Sequence, residues 1–173
     1  MAKTVIQINR APVLTLWAAV VAERLGYGRE EALTFGKAVA GLNAQAKGRR
    51  LGIFKPGQEK GKRPKKSGLG EEFWVEICGR AVPAMRTDGG IRAVVKDKLI
   101  DPEKVAAYLA GKFGEDLGAV REAMEELARA VRPRDLADRA YSLYESFRPT
   151  VPSGKRGWGA KGDLDLDLIR SLG

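Results

Sequence analysis

Residues 10–26, RAPVLTLWAAVVAERLG, decide how this chain is read. Val13, Leu14, Leu16, Trp17, Val20 and Val21 leave the run apolar almost all round, the pattern of a helix covered on every side. Asn9 or Arg10 opens it, and Pro12 stands in the first turn, where a missing N–H costs little. Gly26 supplies the C-terminal cap. A helix with no polar face needs neighbours all round it, so the rest of the chain has to furnish amphipathic cover.

Working outward, a second helix is expected from Arg29 to Lys47, with Ala32, Phe35, Val39, Leu42 and Ala46 at alternating spacings of three and four. Gly36 and Ala40 are small and one turn apart, so another backbone can approach there. Beyond Lys47 the pattern collapses. Residues 47–70 hold six glycines and two prolines, and Leu51, Ile53, Phe54 and Leu69 are their only large apolar residues. A flexible loop is expected, and a loop of that length inside one domain is usually functional or unstructured.

Phe73 to Cys78 is rich in strand formers. Ala81–Thr87 and Ile91–Lys96 flank Asp88–Gly89–Gly90, a hairpin turn signal. Pro83 places the first of these strands at an edge or a bulge. Helices follow. Asp101–Pro102 is a cap followed by a first-turn proline, and Val105, Tyr108, Leu109 and Phe113 make one face. Leu117, Val120, Met124, Leu127 and Val131 make the next stripe. Pro133 starts a last helix with Leu136, Ala140, Leu143, Tyr144 and Phe147 inward. The predicted fold is therefore mainly α with a small β-hairpin or meander (α+β). It has five or so helices in one domain over 1–148, with the loop at 47–70, the hairpin region at 73–97, and a Gly-rich tail at 149–173.

Lys3 and Arg10 ahead of Ala11–Ala22 give a superficial likeness to a secretion signal. Pro12 and Thr15 interrupt the run, and it continues into Glu23–Arg24–Leu25–Gly26 as an ordinary helix does. Its twelve residues are too few to cross a bilayer. A cytoplasmic protein without membrane association is expected, in keeping with a single cysteine, Cys78, and no internal disulfide.

The charge is lopsided. Lysine and arginine number 31 against 22 acidic residues, a net of +9. Between Lys47 and Lys66 stand nine basic residues, Lys47, Arg49, Arg50, Lys55, Lys60, Lys62, Arg63, Lys65 and Lys66, with one acid, Glu59. That segment carries +8 of the total +9, and the closing helices from Asp101 to Arg148 hold ten acids against eight bases. A near-neutral body thus bears one concentrated cationic arm. Such a segment repels itself until an anion compensates it, and against a polynucleotide it would release condensed counterions. The leading expectation is a non-enzymatic nucleic-acid-binding protein, DNA before RNA and prokaryotic in flavour, contacting phosphates with little regard for sequence. Acidic membrane lipid fits less well, because the arm lacks an apolar stripe to insert.

Two lesser features bear on the same reading. The first two predicted helices and their glycine turn have the spacing of a helix-turn-helix, which would present Lys37, Asn43, Gln45 and Lys47. Two consecutive helices joined by a glycine turn, with no such role, is the preferred reading. Lys155, Arg156 and Lys161 surround Trp158, a pattern suited to base stacking beside phosphates. A Trp158 folded back on the body is the simpler alternative.

Chemistry of other kinds is poorly provided for. The chain has no histidine, hence neither the commonest general base nor the commonest metal ligand. Cys78 lacks an activating histidine and lies in an apolar run, so burial and inertness are expected. No phosphate loop of the GxxxxGK[ST] type occurs. Asp163, Asp165 and Asp167 have the spacing that starts a calcium loop, but leucines alternate with them and the required glycine is missing. That alternation suits a strand with one apolar face, pairing with the protein's own sheet edge or with a partner's. Ser67, Tyr141 and Tyr144 are available hydroxyls with nothing to single them out. No catalytic residue, metal or cofactor is assigned. The competing function is a protein-interaction module recruiting a partner through residues 163–168, and an enzyme of carboxylates and lysines ranks third.

Overall fold

The computed structural model describes residues 5–50, 72–87, 90–95, 98–149 and 161–172, with side chains at 43–50, 72 and 161 left out of the description. The protein is mostly helical with small antiparallel sheets, the α+β class the sequence points to. Its elements are β1 (Val5–Asn9), α1 (Arg10–Arg24), α2 (Arg29–Arg50), β2 (Glu72–Ile77), β3 (Arg80–Thr87), β4 (Gly90–Val95) and β5 (Lys98–Leu99). The chain then runs through α3 (Pro102–Phe113), α4 (Leu117–Ala130), α5 (Pro133–Phe147), β6 (Lys161–Asp165) and α6 (Leu166–Ser171).

The apolar run of α1 is the centre of the molecule. Every residue of α1 from Pro12 to Ala22 is buried, with α2, α3, α4, α5, β1 and β2 packed around it. Burial of that kind demands that polar groups find partners. The Thr15 hydroxyl donates to the Ala11 carbonyl at 2.8 Å. The Trp17 indole N–H donates to the Ala140 carbonyl at 2.9 Å, and its ring meets Phe147 edge-on at 5.2 Å.

Gly26, at φ 110°, ends α1 as expected. The Gly26 N–H returns to Glu23 at 3.1 Å and the Tyr27 N–H to Ala22 at 3.1 Å, the paired bonds of a Schellman cap. The chain then doubles back. A Cβ added at Gly36 would fall on the Thr15 carbonyl and 3.3 Å from the Ala19 Cβ. Contacts about ten residues either side of the turn mean that α1 and α2 lie along one another. This is the glycine-turn helix pair preferred from sequence, and the close approach expected at Gly36 is realised.

The amphipathic stripes of α4 and α5 face inward, with Val120, Met124 and Leu127 buried on one and Leu136, Ala140, Leu143, Tyr144 and Phe147 on the other. Arg24, in the last turn of α1, donates to the carbonyls of Ala128 at 3.1 Å and Val131 at 3.3 Å, satisfying the open end of α4. Asp101 caps α3 by accepting from the Glu103 N–H at 2.9 Å.

Strands β2 to β5 form an antiparallel meander in sequence order. One difference from expectation lies at Cys78. Cys78 and Gly79 take φ values of 50° and 74° while Ile77 pairs with Arg80. Both turn residues are left-handed, the requirement of a type I′ two-residue hairpin, so the strand stops at Ile77 and Cys78 turns. A second difference concerns Pro83. Strand β3 is central, but it pairs with β4 only from Ala84 to Thr87, so Pro83 sits where β3 has a neighbour on one side alone.

The open edge of β4 is covered by α2 side chains. The Glu31 carboxylate accepts from the Ile91 N–H at 2.8 Å and from the Gly28 N–H at 2.8 Å. The Thr34 hydroxyl accepts from the Ala93 N–H at 3.0 Å. Glu31 thus supplies the N3 half of a capping box at the start of α2, with Gly28 as the N-cap, and fixes the sheet to the helix with its other oxygen.

Strand β1 has no counterpart in the sequence reading. It pairs antiparallel with β6 from Val5 opposite Asp165 to Asn9 opposite Lys161. The alternating Asp–Leu segment therefore finds an edge within its own chain. Leu164, Leu166 and Ile169 are buried, and α6 packs on α4. The strand character expected over 163–168 holds to Asp165, whose side chain then caps α6. Among the described residues no helix is long and apolar enough to cross a membrane.

Candidate nucleic-acid interface

The sequence places the cationic arm after α2, and the helix reaches further toward it than expected, ending at Arg50 instead of Lys47. The backbone carrying Lys47, Arg49 and Arg50 is therefore helical. Asn43 and Gln45 lie on the same helix. The side chains of these five residues, and all of Lys55, Lys60, Lys62, Arg63, Lys65, Lys66, Arg156 and Trp158, lie outside the described residues. Lys161 opens β6, its backbone opposite Asn9.

Lys37 is the predicted contact residue whose side chain is described, and its surroundings add two residues the sequence reading did not select. Lys37 is exposed on α2, and its Nζ stands 4.5 Å from the centroid of the Tyr108 ring on α3. Lys112, one turn beyond Tyr108, approaches the same ring at 6.0 Å. Two ammonium groups thus approach one aromatic ring, whose quadrupole attracts each of them. Partial burial of Tyr108 raises its phenol above the usual range, so the ring stays neutral.

The arrangement suits phosphate contact. Lysines are mobile point charges that follow a polyanion without demanding one geometry, and these two are fixed at their stems on rigid helices. Lys37 and Arg50 are thirteen residues apart on α2, about 20 Å along the axis at the α-helical rise. Tyr108 and Lys112 could have been found as an i, i+4 pair on α3, but their meeting with Lys37 depends on how α2 and α3 pack.

Among the described residues no three His, Cys, Asp or Glu side chains lie together so as to hold a metal ion. Cys78 is buried, and desolvation pushes its thiol up to about 12. Compared with family models, with curated proteins and with solved structures, the chain matches none.

Proposed function

We propose that this is a non-enzymatic nucleic-acid-binding protein of the cytoplasm. Its helical body presents Lys37 and Lys112 and carries a cationic arm from Lys47 to Lys66. The observation that bears the reading is the distribution of charge, with +8 of the chain's +9 in those twenty residues. The convergence of Lys37 and Lys112 on Tyr108 supports it. Binding is through phosphates and largely indifferent to sequence, with DNA the first candidate.

Phosphate contacts release counterions, so the affinity falls linearly on a log–log plot against salt, with a slope of about −0.9 per duplex phosphate neutralised. Fluorescence anisotropy with a labelled duplex and a single strand tests the proposal, using variants in which Lys60, Lys62, Arg63, Lys65 and Lys66 are glutamine. Substantially weaker binding and a shallower slope are expected from these variants. The alternative recruitment of a partner through 163–168 has less to stand on, because Leu164 and Leu166 are already buried and β6 is already paired.

A further inference from the structure

Tyr108 stands half-buried on α3, in surroundings made of lysines and small residues. On a helix the surface neighbours of a side chain are the residues three and four positions away. For Tyr108 these are Val105, which is buried, and Lys104, Gly111 and Lys112, which are exposed. Lys37 reaches across from α2 and lies over the ring at 4.5 Å. Gly41 follows Lys37 by one turn of α2. Neither Gly41 nor Gly111 has an atom within 4 Å of an added Cβ, so the two glycines leave open space beside the lysines.

Three lysines thus flank one aromatic ring, and none of the ion pairs among the described residues includes them. Glu103 and Glu115 lie at the two ends of α3, outside this stripe. A cation over a partly exposed ring is held weakly. An ammonium gains more from a phosphate oxygen, to which it donates charge-assisted hydrogen bonds. An arriving nucleic acid therefore draws Lys37 off the ring to a phosphate and bares the face it covered. Any base can lay its own π-face there, whatever the sequence. A duplex offers no such face, because its bases are stacked on one another and present only their edges in the grooves.

Given the nucleic-acid reading on which this rests, we propose that Tyr108 is a stacking platform for one base of a single strand, with Lys37, Lys104 and Lys112 on the flanking phosphates. Phosphate contacts are open to duplex and single strand alike. The ring adds a contact that only unpaired bases can make.

The test uses the full chain and fluorescence anisotropy at one salt concentration with three labelled probes: an oligothymidine, an abasic strand of the same length, and a duplex. Tyr108→Leu keeps helix propensity and apolar bulk, so its thermal melt should match the native chain's. Loss of one stacked base costs about five- to a hundredfold in affinity. Tyr108→Leu should therefore bind the oligothymidine about tenfold more weakly, with the abasic strand and the duplex unaffected. Tyr108→Phe keeps the stacking surface and should keep the native affinity for all three. Lys104→Gln should lower the log–log salt slope on the single strand by about 0.7. Equal losses by Tyr108→Leu on all three probes, no loss on the oligothymidine, or an unchanged slope in Lys104→Gln overturns the proposal while leaving phosphate binding in place. A native chain that binds none of the three probes would instead remove the nucleic-acid reading, and this site with it.

Discussion

Replacement of Gly36 by alanine tests the packing at the centre of the fold. In an exposed helix interior, glycine to alanine gains about 1 kcal/mol from backbone entropy and propensity. At Gly36 the added methyl would collide with the Thr15 carbonyl and lie 3.3 Å from the Ala19 Cβ. The obstacle is backbone of a helix buried from Pro12 to Ala22, so it cannot swing aside and α1 and α2 must separate. Overpacking costs about 1–3 kcal/mol, and an immovable partner puts this case at the upper end. Subtracting the propensity gain leaves a net loss of about 2 kcal/mol, or roughly 4–8 °C in Tm for a domain of this size. Gly41, on the same helix, has no atom within 4 Å of an added Cβ, so Gly41→Ala keeps the gain and should raise Tm by about 2–4 °C. Urea denaturation followed by circular dichroism, with thermal melts alongside, reads both. A Gly36→Ala chain as stable as the native one, or a Gly41→Ala chain that loses as much as Gly36→Ala, would refute the close approach of the two helices.

Other outcomes follow from single contacts. Glu31 is held below the usual carboxylate range, first by its hydrogen bond from Gly28 and then by that from Ile91. A carboxylate with a depressed folded pKa contributes stability that is present above its unfolded value near 4.5 and lost as pH falls through the folded value. Glu31→Gln should therefore cost about 1–2 kcal/mol at pH 7, and its stability should vary less than the native chain's between about pH 5 and 3. A pH series of urea midpoints checks this. Cys78, buried and with its thiol raised to about 12, should resist alkylation at pH 8 in the native state and react fully in urea, as mass spectrometry would show. Lys37→Gln and Lys112→Gln should each reduce the salt dependence of nucleic-acid binding by about one unit of slope while leaving Tm unchanged. A fall in affinity with no change in slope would remove these lysines from the interface.

Much of the fold was legible because α1 and the amphipathic helices obey strong local rules. Asn9, Pro12 and Gly26 mark the ends of α1, Asp101–Pro102 the start of α3, and the three-and-four spacings the inward faces. Strand β1 was not, since Val5, Ile6 and Ile8 acquire meaning only when β6 returns from more than 150 residues away to pair with them. Cys78 reads as a strand residue by type. Its left-handed turn is imposed by the two-residue connection between Ile77 and Arg80, an override of local propensity by tertiary pairing. The roles of Glu31 and Thr34 at the edge of β4 also depend on a packing that no short window contains. The candidate interface divides the same way. The charge of the arm is a property of composition and is read directly. The meeting of Lys37 with Tyr108 and Lys112 is a product of how α2 and α3 are placed.

The central claim is that the cationic stretch 47–66 serves as a docking surface for a polyanion. Its most direct measurement is the affinity of the native chain for duplex DNA across a salt series. With most of the nine basic residues engaged, a log–log slope on the order of −5 to −8 is expected. Binding that ignores salt, or no binding even at low ionic strength, would contradict it.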